Sequence, residues 1–180
     1  MPRTPLYVFY ATASLMLLAS AASARPRHKD APVPDAIAVP EGNKLNVSLV
    51  GSGVQRYECS SANGTYAWKF IAPDADLLDR HERVAGHHSA GPTWQANDGS
   101  QVTATKKAEA SGGADSIPWL LLEAATHSGS GQFDDVTFIQ RVETEGGLAP
   151  TASCTEANSG ERNDVPYRAV YRFYSPTRCD

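Results

Sequence analysis

Helical periodicity is scarce in this sequence. No long stretch repeats apolar side chains at intervals of three and four, and only Ala72 to Asp79 reads as one helical turn. Positive charge is short too, with 16 Lys and Arg against 20 Asp and Glu. That balance opposes phosphate-backbone binding, which relies on clustered cations, so nucleic acid is not expected as a partner. Lys106-Lys107 is the only paired-lysine motif, too little basic surface to hold an anionic membrane. Enzyme signatures fail in turn. No G-x-S-x-G elbow occurs. His81-Glu82-Arg83-Val84-Ala85 opens like the zinc-protease pattern but ends in alanine, and Gly51-Ser52-Gly53 opens like a dinucleotide loop but reaches Arg56 where the third glycine belongs.

Cysteine is also sparse. Cys59, Cys154 and Cys179 leave at least one unpaired; the preferred bridge is Cys59–Cys154, because both lie inside the expected domain while Cys179 sits near the C-terminus, and three free thiols are the alternative. Asp74, Asp76 and Asp79 are spaced like part of a calcium loop but lack its turn glycine, and are read as turn residues.

What is present begins with a leader. Arg3, an apolar run from Leu6 through Ala19 and the small-x-small stretch Ala22-Ser23-Ala24 form a secretory signal pattern over 1–24, with cleavage after Ala24. The run is shorter than the roughly 20 residues of a spanning helix, so no transmembrane anchor is expected in the mature chain. A secreted or periplasmic location follows. Residues 25–40 carry four prolines and read as an extended arm outside the sheet; 41–175 read as one β domain and 176–180 as a tail.

Within the domain the period is two. Leu45, Val47 and Leu49 alternate with polar neighbours, then Gln55, Tyr57 and Cys59, then Tyr66, Trp68 and Phe70. Asn63-Gly64 and Asp98-Gly99 are hairpin turn signals. Further strands are expected at Val84 to His88, Thr93 to Ala96, Val102 to Lys106, Trp119 to Ala125, Val136 to Val142 and Tyr167 to Phe173. The expected fold is all-β, an antiparallel sandwich or barrel. Trp119-Leu120-Leu121-Leu122 reads as a strand buried on both faces, and Tyr167, Tyr171 and Phe173 as core.

The densest chemistry lies from Gly86 to Trp94, with Asp98-Gly99-Ser100 and His127-Ser128-Gly129. Small residues around histidines and a tryptophan let a ligand or another backbone approach closely. The functional reading is a pocket with His88 and His127 as ligating or proton-transferring imidazoles and Trp94 as an apolar platform; the structural reading is a packed corner. Zinc at His88 and His127 would need a third ligand, for which His87 and Asp98 are candidates. Pairing His88 with Ser128, or His127 with Ser89, would begin a hydrolase site but needs an orienting acid and an oxyanion hole. Asn46-Val47-Ser48 and Asn63-Gly64-Thr65 meet the N-glycosylation pattern, relevant only for a eukaryotic source.

Ala90-Gly91-Pro92-Thr93-Trp94, Asp98-Gly99-Ser100, Ile117-Pro118-Trp119-Leu120-Leu121-Leu122, Val136 through Val142, Gly146-Gly147-Leu148-Ala149-Pro150, Cys154 and Val165-Pro166-Tyr167 together resemble the family called domain of unknown function 3455. The resemblance spans nearly all of Val33 to Tyr174. It implies an exported protein of the kind found in bacteria and fungi, where fungal members often carry the label malate dehydrogenase. That label is not carried over, since the failed glycine pattern, the lack of helices and the leader oppose a nicotinamide cofactor. The resemblance places His88, Trp94, Asp98, His127, Gln140 and Arg141 in recurrent motifs without assigning them roles. Ser89 stands where it implies a larger residue, and Cys179 lies beyond it. The leading expectation is a binding or envelope-associated protein, with extracellular carbohydrate or an envelope component as partner. The rivals are a secreted enzyme or metal-binding protein centred on His88 and His127, and a purely structural domain.

Overall fold

Alternation at period two becomes eight antiparallel strands in the computed structural model, which describes Met1 and residues 32–178. The expected leader, its cleavage site at Ala24, residues 25–31 of the arm, and Cys179 lie outside the described residues. The strands are β1 (Asn43–Ala62), β2 (Thr65–Leu78), β3 (Val84–Ser89), β4 (Thr93–Ala96), β5 (Gln101–Ala110), β6 (Trp119–Ser128), β7 (Phe138–Gly146) and β8 (Arg162–Pro176). Each pairs with its neighbour in sequence, and β8 returns to β1, so the all-β domain is a closed barrel. Closure leaves no open sheet edge, and eight strands enclose an interior that side chains nearly fill.

Two expectations for the first strands are corrected. The segments at 45–49 and 55–59 are one strand, β1, because the glycines between them are not a break. A Cβ on Gly53 would stand 2.2 Å from the Asp74 carbonyl oxygen, and one on Gly51 would stand 2.5 Å from the Tyr171 ring. Only glycine lets the wall and the core approach this closely. Residues 72–79 form no helical turn, since β2 continues to Leu78. Its Ala75 and Leu77 point into the core while Asp74 and Asp76 point out, so Asp74 and Asp76 are strand residues and only Asp79 belongs to a turn.

The hairpins at Asn63-Gly64 and Asp98-Gly99 join β1 to β2 and β4 to β5. Asn63 and Gly64 both take positive φ, as a two-residue hairpin turn of type I′ requires. Inside the barrel lie Leu49, Leu77, Trp94, Val102, Leu122, Ile139, Tyr167, Tyr171 and Phe173. Outside it, Leu121 and Val142 pack under Ile37, from a 3-10 turn at Asp35–Ile37. Neighbouring Leu121 and Leu122 are thus buried on opposite faces of one strand, which is why that run is continuously apolar.

One end of the barrel is sealed. The loop after β6 inserts Phe133, fully buried and stacked on Phe173 with ring centroids 4.4 Å apart. Ser100 Oγ donates to Asp98 and accepts from the Phe133 N–H, and Asp98 also accepts from the backbone N–H of Ser100 and Gln132. These bonds, led by that from the Ser100 hydroxyl, hold the Asp98 carboxyl below the usual range.

Candidate functional site: the open end of the barrel

The other end retains a cavity of about 220 Å³, lined by Gln55, Phe70, Ile71, Pro73, His88, Gly91, Pro92 and Arg141. Its position follows from the strands. Gln55 continues the inward-facing series Leu49, Gly51, Gly53 on β1, His88 is an inward position of β3 beside Ala75, and Arg141 faces Tyr171 across the β7–β8 pair. Gly91 and Pro92 form the β3–β4 turn above them. Phe70 and Ile71, about half exposed at 51% and 48%, make an apolar rim on β2.

His88 is buried and lies flat on Trp94, with ring centroids 4.4 Å apart and an interplanar angle of 7°. Its Nδ1 is 2.8 Å from the Thr93 carbonyl oxygen, which can only accept, so Nδ1 carries the proton and Nε2 is left as the acceptor end of the ring. Burial pushes its pKa down to about 3, helped by the charge of Arg141 and opposed by the bond to Thr93. At neutral pH this is an uncharged aromatic amphiphile. Tyr171 sits edge-on to both rings, and its hydroxyl is 3.2 Å from that of Tyr167; burial raises the pKa of both phenols, so both stay protonated.

Arg141 is positioned by the backbone. Its Nε and Nη2 donate to the Pro118 carbonyl oxygen at 3.1 and 2.8 Å, which fixes the plane of the guanidinium and leaves its remaining hydrogens beside Tyr171 and the cavity. Among the described residues no carboxylate pairs with it. Gln55, only 2% exposed, has an Nε2 without a partner in hydrogen-bond geometry, although it lies close enough to the Tyr167 hydroxyl to act on it, and the Trp94 indole N–H is likewise unpaired. Buried donors normally find partners, so the Gln55 orphan in the cavity wall is a feature to be explained.

The walls of the mouth are tied together. Cys59 and Cys154 form a disulfide with Cα atoms 5.5 Å apart, joining β1 to the long β7–β8 connection. Trp68 donates to the Ala152 carbonyl at 2.8 Å, and the Tyr57 hydroxyl donates to that of Gly147 at 2.7 Å. Gly147 has φ +78°, and a Cβ there would press on Tyr167, Gln55 and Ile117 at 2.9 to 3.2 Å, so a larger residue would displace the cavity wall.

The structure gathers three of the six residues singled out in the sequence, His88, Trp94 and Arg141, and separates the others. Asp98 organises the sealed end. Gln140 faces outward, where its Nε2 donates to the Ile37 carbonyl and its Oε1 accepts from Tyr174. His127 lies in the register row His88, Trp94, Val102, His127, three strands from His88. With about 4.8 Å between strands the two histidines stand about 14 Å apart along the wall. The His127 Nε2 is 2.7 Å from the Val136 carbonyl oxygen. The same separation keeps Ser89 from His127 and Ser128 from His88. His87 points outward between Asp74 and Asp76, at 3.2 and 3.5 Å. Among the described residues no three or more His, Cys, Asp or Glu converge on a metal position.

Segments far apart in the chain therefore meet here: Gly91-Pro92 caps the cavity, Pro118 holds Arg141, and Gly147 packs on Gln55. Residues 40–175 match the family described as protein of unknown function (DUF3455). The chain belongs to that family. The family match takes in all eight strands but for the last residue of β8, so the cavity lies entirely within the family domain. No curated protein and no solved structure matches the chain. Among the described residues no helix is long and apolar enough to cross a membrane.

Sequence reasoning missed Gln55, Phe70, Ile71 and Pro73. A signal for Gln55 was present, since it is a polar side chain at an inward position of an alternating strand. Phe70 and Ile71 carried a weaker one, two adjacent large apolar residues of which both cannot face the core of a two-faced strand.

Proposed function

We propose that this protein is an exported binding protein that holds a compact small molecule in the open end of its barrel. The observation that carries the reading is Gln55: a buried amide in a cavity wall whose Nε2 has only the Tyr167 hydroxyl nearby, outside full hydrogen-bond geometry, is a position at which a ligand supplies the missing bond. An eight-stranded barrel is wide enough for one small ligand and no more. The volume corresponds to about seven water molecules of liquid. Export is supported by the leader pattern and by the Cys59–Cys154 disulfide, a bond that persists in oxidising compartments.

Carbohydrate, the expectation raised by the aromatic residues, has weaker support. Sugar recognition uses exposed aromatic faces, whereas Trp94, Tyr167 and Tyr171 are buried and only Phe70 offers a ring at the rim. An enzyme centred on His88 and His127 draws no support from the geometry, since the imidazoles are apart and His88 is held neutral far below the range of a general base.

The reading is tested by screening compact solutes for thermal stabilisation of the full chain. A true ligand at 100 times its Kd adds about 2.7 kcal/mol to the unfolding free energy. Ile71→Trp, at a half-exposed rim position, narrows the mouth; it should weaken that ligand at least about tenfold while leaving the unliganded melting temperature in place. Ligands that stabilise wild type and Ile71→Trp equally would place binding elsewhere and overturn the reading.

A further inference from the structure

Charge distribution narrows the ligand class. Among the described residues Arg141 is the only charged side chain in the cavity wall; the others are neutral or apolar. The chain carries a net charge of −4, so general attraction for anions is absent and any anion held here is held by this local charge. Arg141 makes no ion pair among the described residues; Glu109, two strands away and exposed, acts on it only at a distance and leaves its half-buried charge partly compensated. Its plane is already set by two bonds to Pro118, so a planar acceptor pair arriving at its free edge meets a pre-oriented fork. Gln55 adds a second donor lacking an acceptor. The rim of Phe70, Ile71, Pro73 and Pro92 offers the opposite chemistry, apolar surface open to solvent.

Resting on the pocket reading above, we propose that the molecule held in the cavity is a compact carboxylate with an apolar body. Its carboxylate accepts from Arg141 and Gln55, and its body lies against Phe70, Ile71 and Pro73. A neutral ligand would leave the Arg141 charge without a carboxylate at its free edge. An ion without an apolar part, such as inorganic phosphate, would leave the rim exposed.

The test is a titration of the full disulfide-bonded chain, followed by NMR of backbone and side-chain amides, with benzoate against benzamide, hexanoate against hexanamide, and inorganic phosphate. The carboxylates should shift the Gln55 side-chain amide and bind at least about tenfold more tightly than their amides. Arg141→Gln should remove that preference and leave the weak amide binding as it was, while Arg141→Lys should retain part of it. The wild-type comparison of acid with amide stands even if Arg141→Gln does not fold. Amides that bind as tightly as carboxylates would overturn the carboxylate assignment while sparing the pocket. Phosphate binding as tightly as benzoate would overturn the apolar body. If no probe, charged or neutral, moves Gln55, the pocket reading itself falls.

Discussion

Replacing Cys59 and Cys154 together by serine should lower the unfolding free energy by about 2–5 kcal/mol, the range for native disulfides of small exported domains. The bridge joins positions 95 residues apart, so its loss restores a large number of unfolded conformations. The folded state suffers as well. The connection between β7 and β8 is held to the β1–β2 hairpin by this bond and by the Trp68 bond to Ala152, and that hairpin carries Phe70 and Ile71. Urea unfolding of the double variant measures the first effect, and amide hydrogen exchange along residues 147–161 measures the second. Both should change, with exchange faster around Cys154 than around Phe133 at the sealed end. Equal stability with and without the bridge would show that the mouth is held by its other contacts alone.

A second large effect concerns acid. His88 has a folded pKa of about 3 against an ordinary 6.5, so between those values the unfolded chain binds a proton that the folded chain refuses. Stability is then complete above about pH 6.5 and falls as the pH drops toward 3, by at most about 1.4 kcal/mol per pH unit from this one group. The groups facing the imidazole do not reverse the sign: Arg141 and the neighbouring His87 oppose its protonation, Tyr171 remains neutral, and only the bond to Thr93 favours the charged ring. His88→Gln should cost stability at pH 7 by losing the stack on Trp94, yet show a flatter decline between pH 6.5 and 4.5. Urea midpoints of both proteins across that interval decide the matter. Parallel declines would mean that the acid sensitivity comes from other groups.

Much of the architecture was legible because alternation is a local signal. The hairpin turns, the paired cysteines and the core stripe Tyr167, Tyr171, Phe173 could all be read directly. Closure of the sheet was not, since a sandwich and a barrel share the same alternation and differ only in whether β8 meets β1. The tract at 72–79 misled because alanine, aspartate and proline are poor strand formers, and packing of Ala75 and Leu77 against the barrel interior overrode that preference. The site was half legible for a related reason. Chain proximity and residue type drew His88 and Trp94 together, and a family motif added Arg141. Asp98, Gln140 and His127 belonged to equally distinctive motifs, but their inward, outward or end-of-strand placement depends on register around the ring. Gln140 illustrates the difficulty: one residue from Arg141, it points to the opposite face and holds Ile37.

On the proposed function, the cavity at Gln55, His88 and Arg141 is a binding site rather than a packing fault. A crystal structure of the protein isolated from the organism that makes it, with no ligand added, tests this most directly. A compact molecule is expected in the cavity, with an acceptor within hydrogen-bond distance of Gln55 Nε2 and of the Arg141 guanidinium. A cavity closed by its own side chains, with Gln55 bonded to a protein group and Arg141 paired with a carboxylate of the chain, would contradict it.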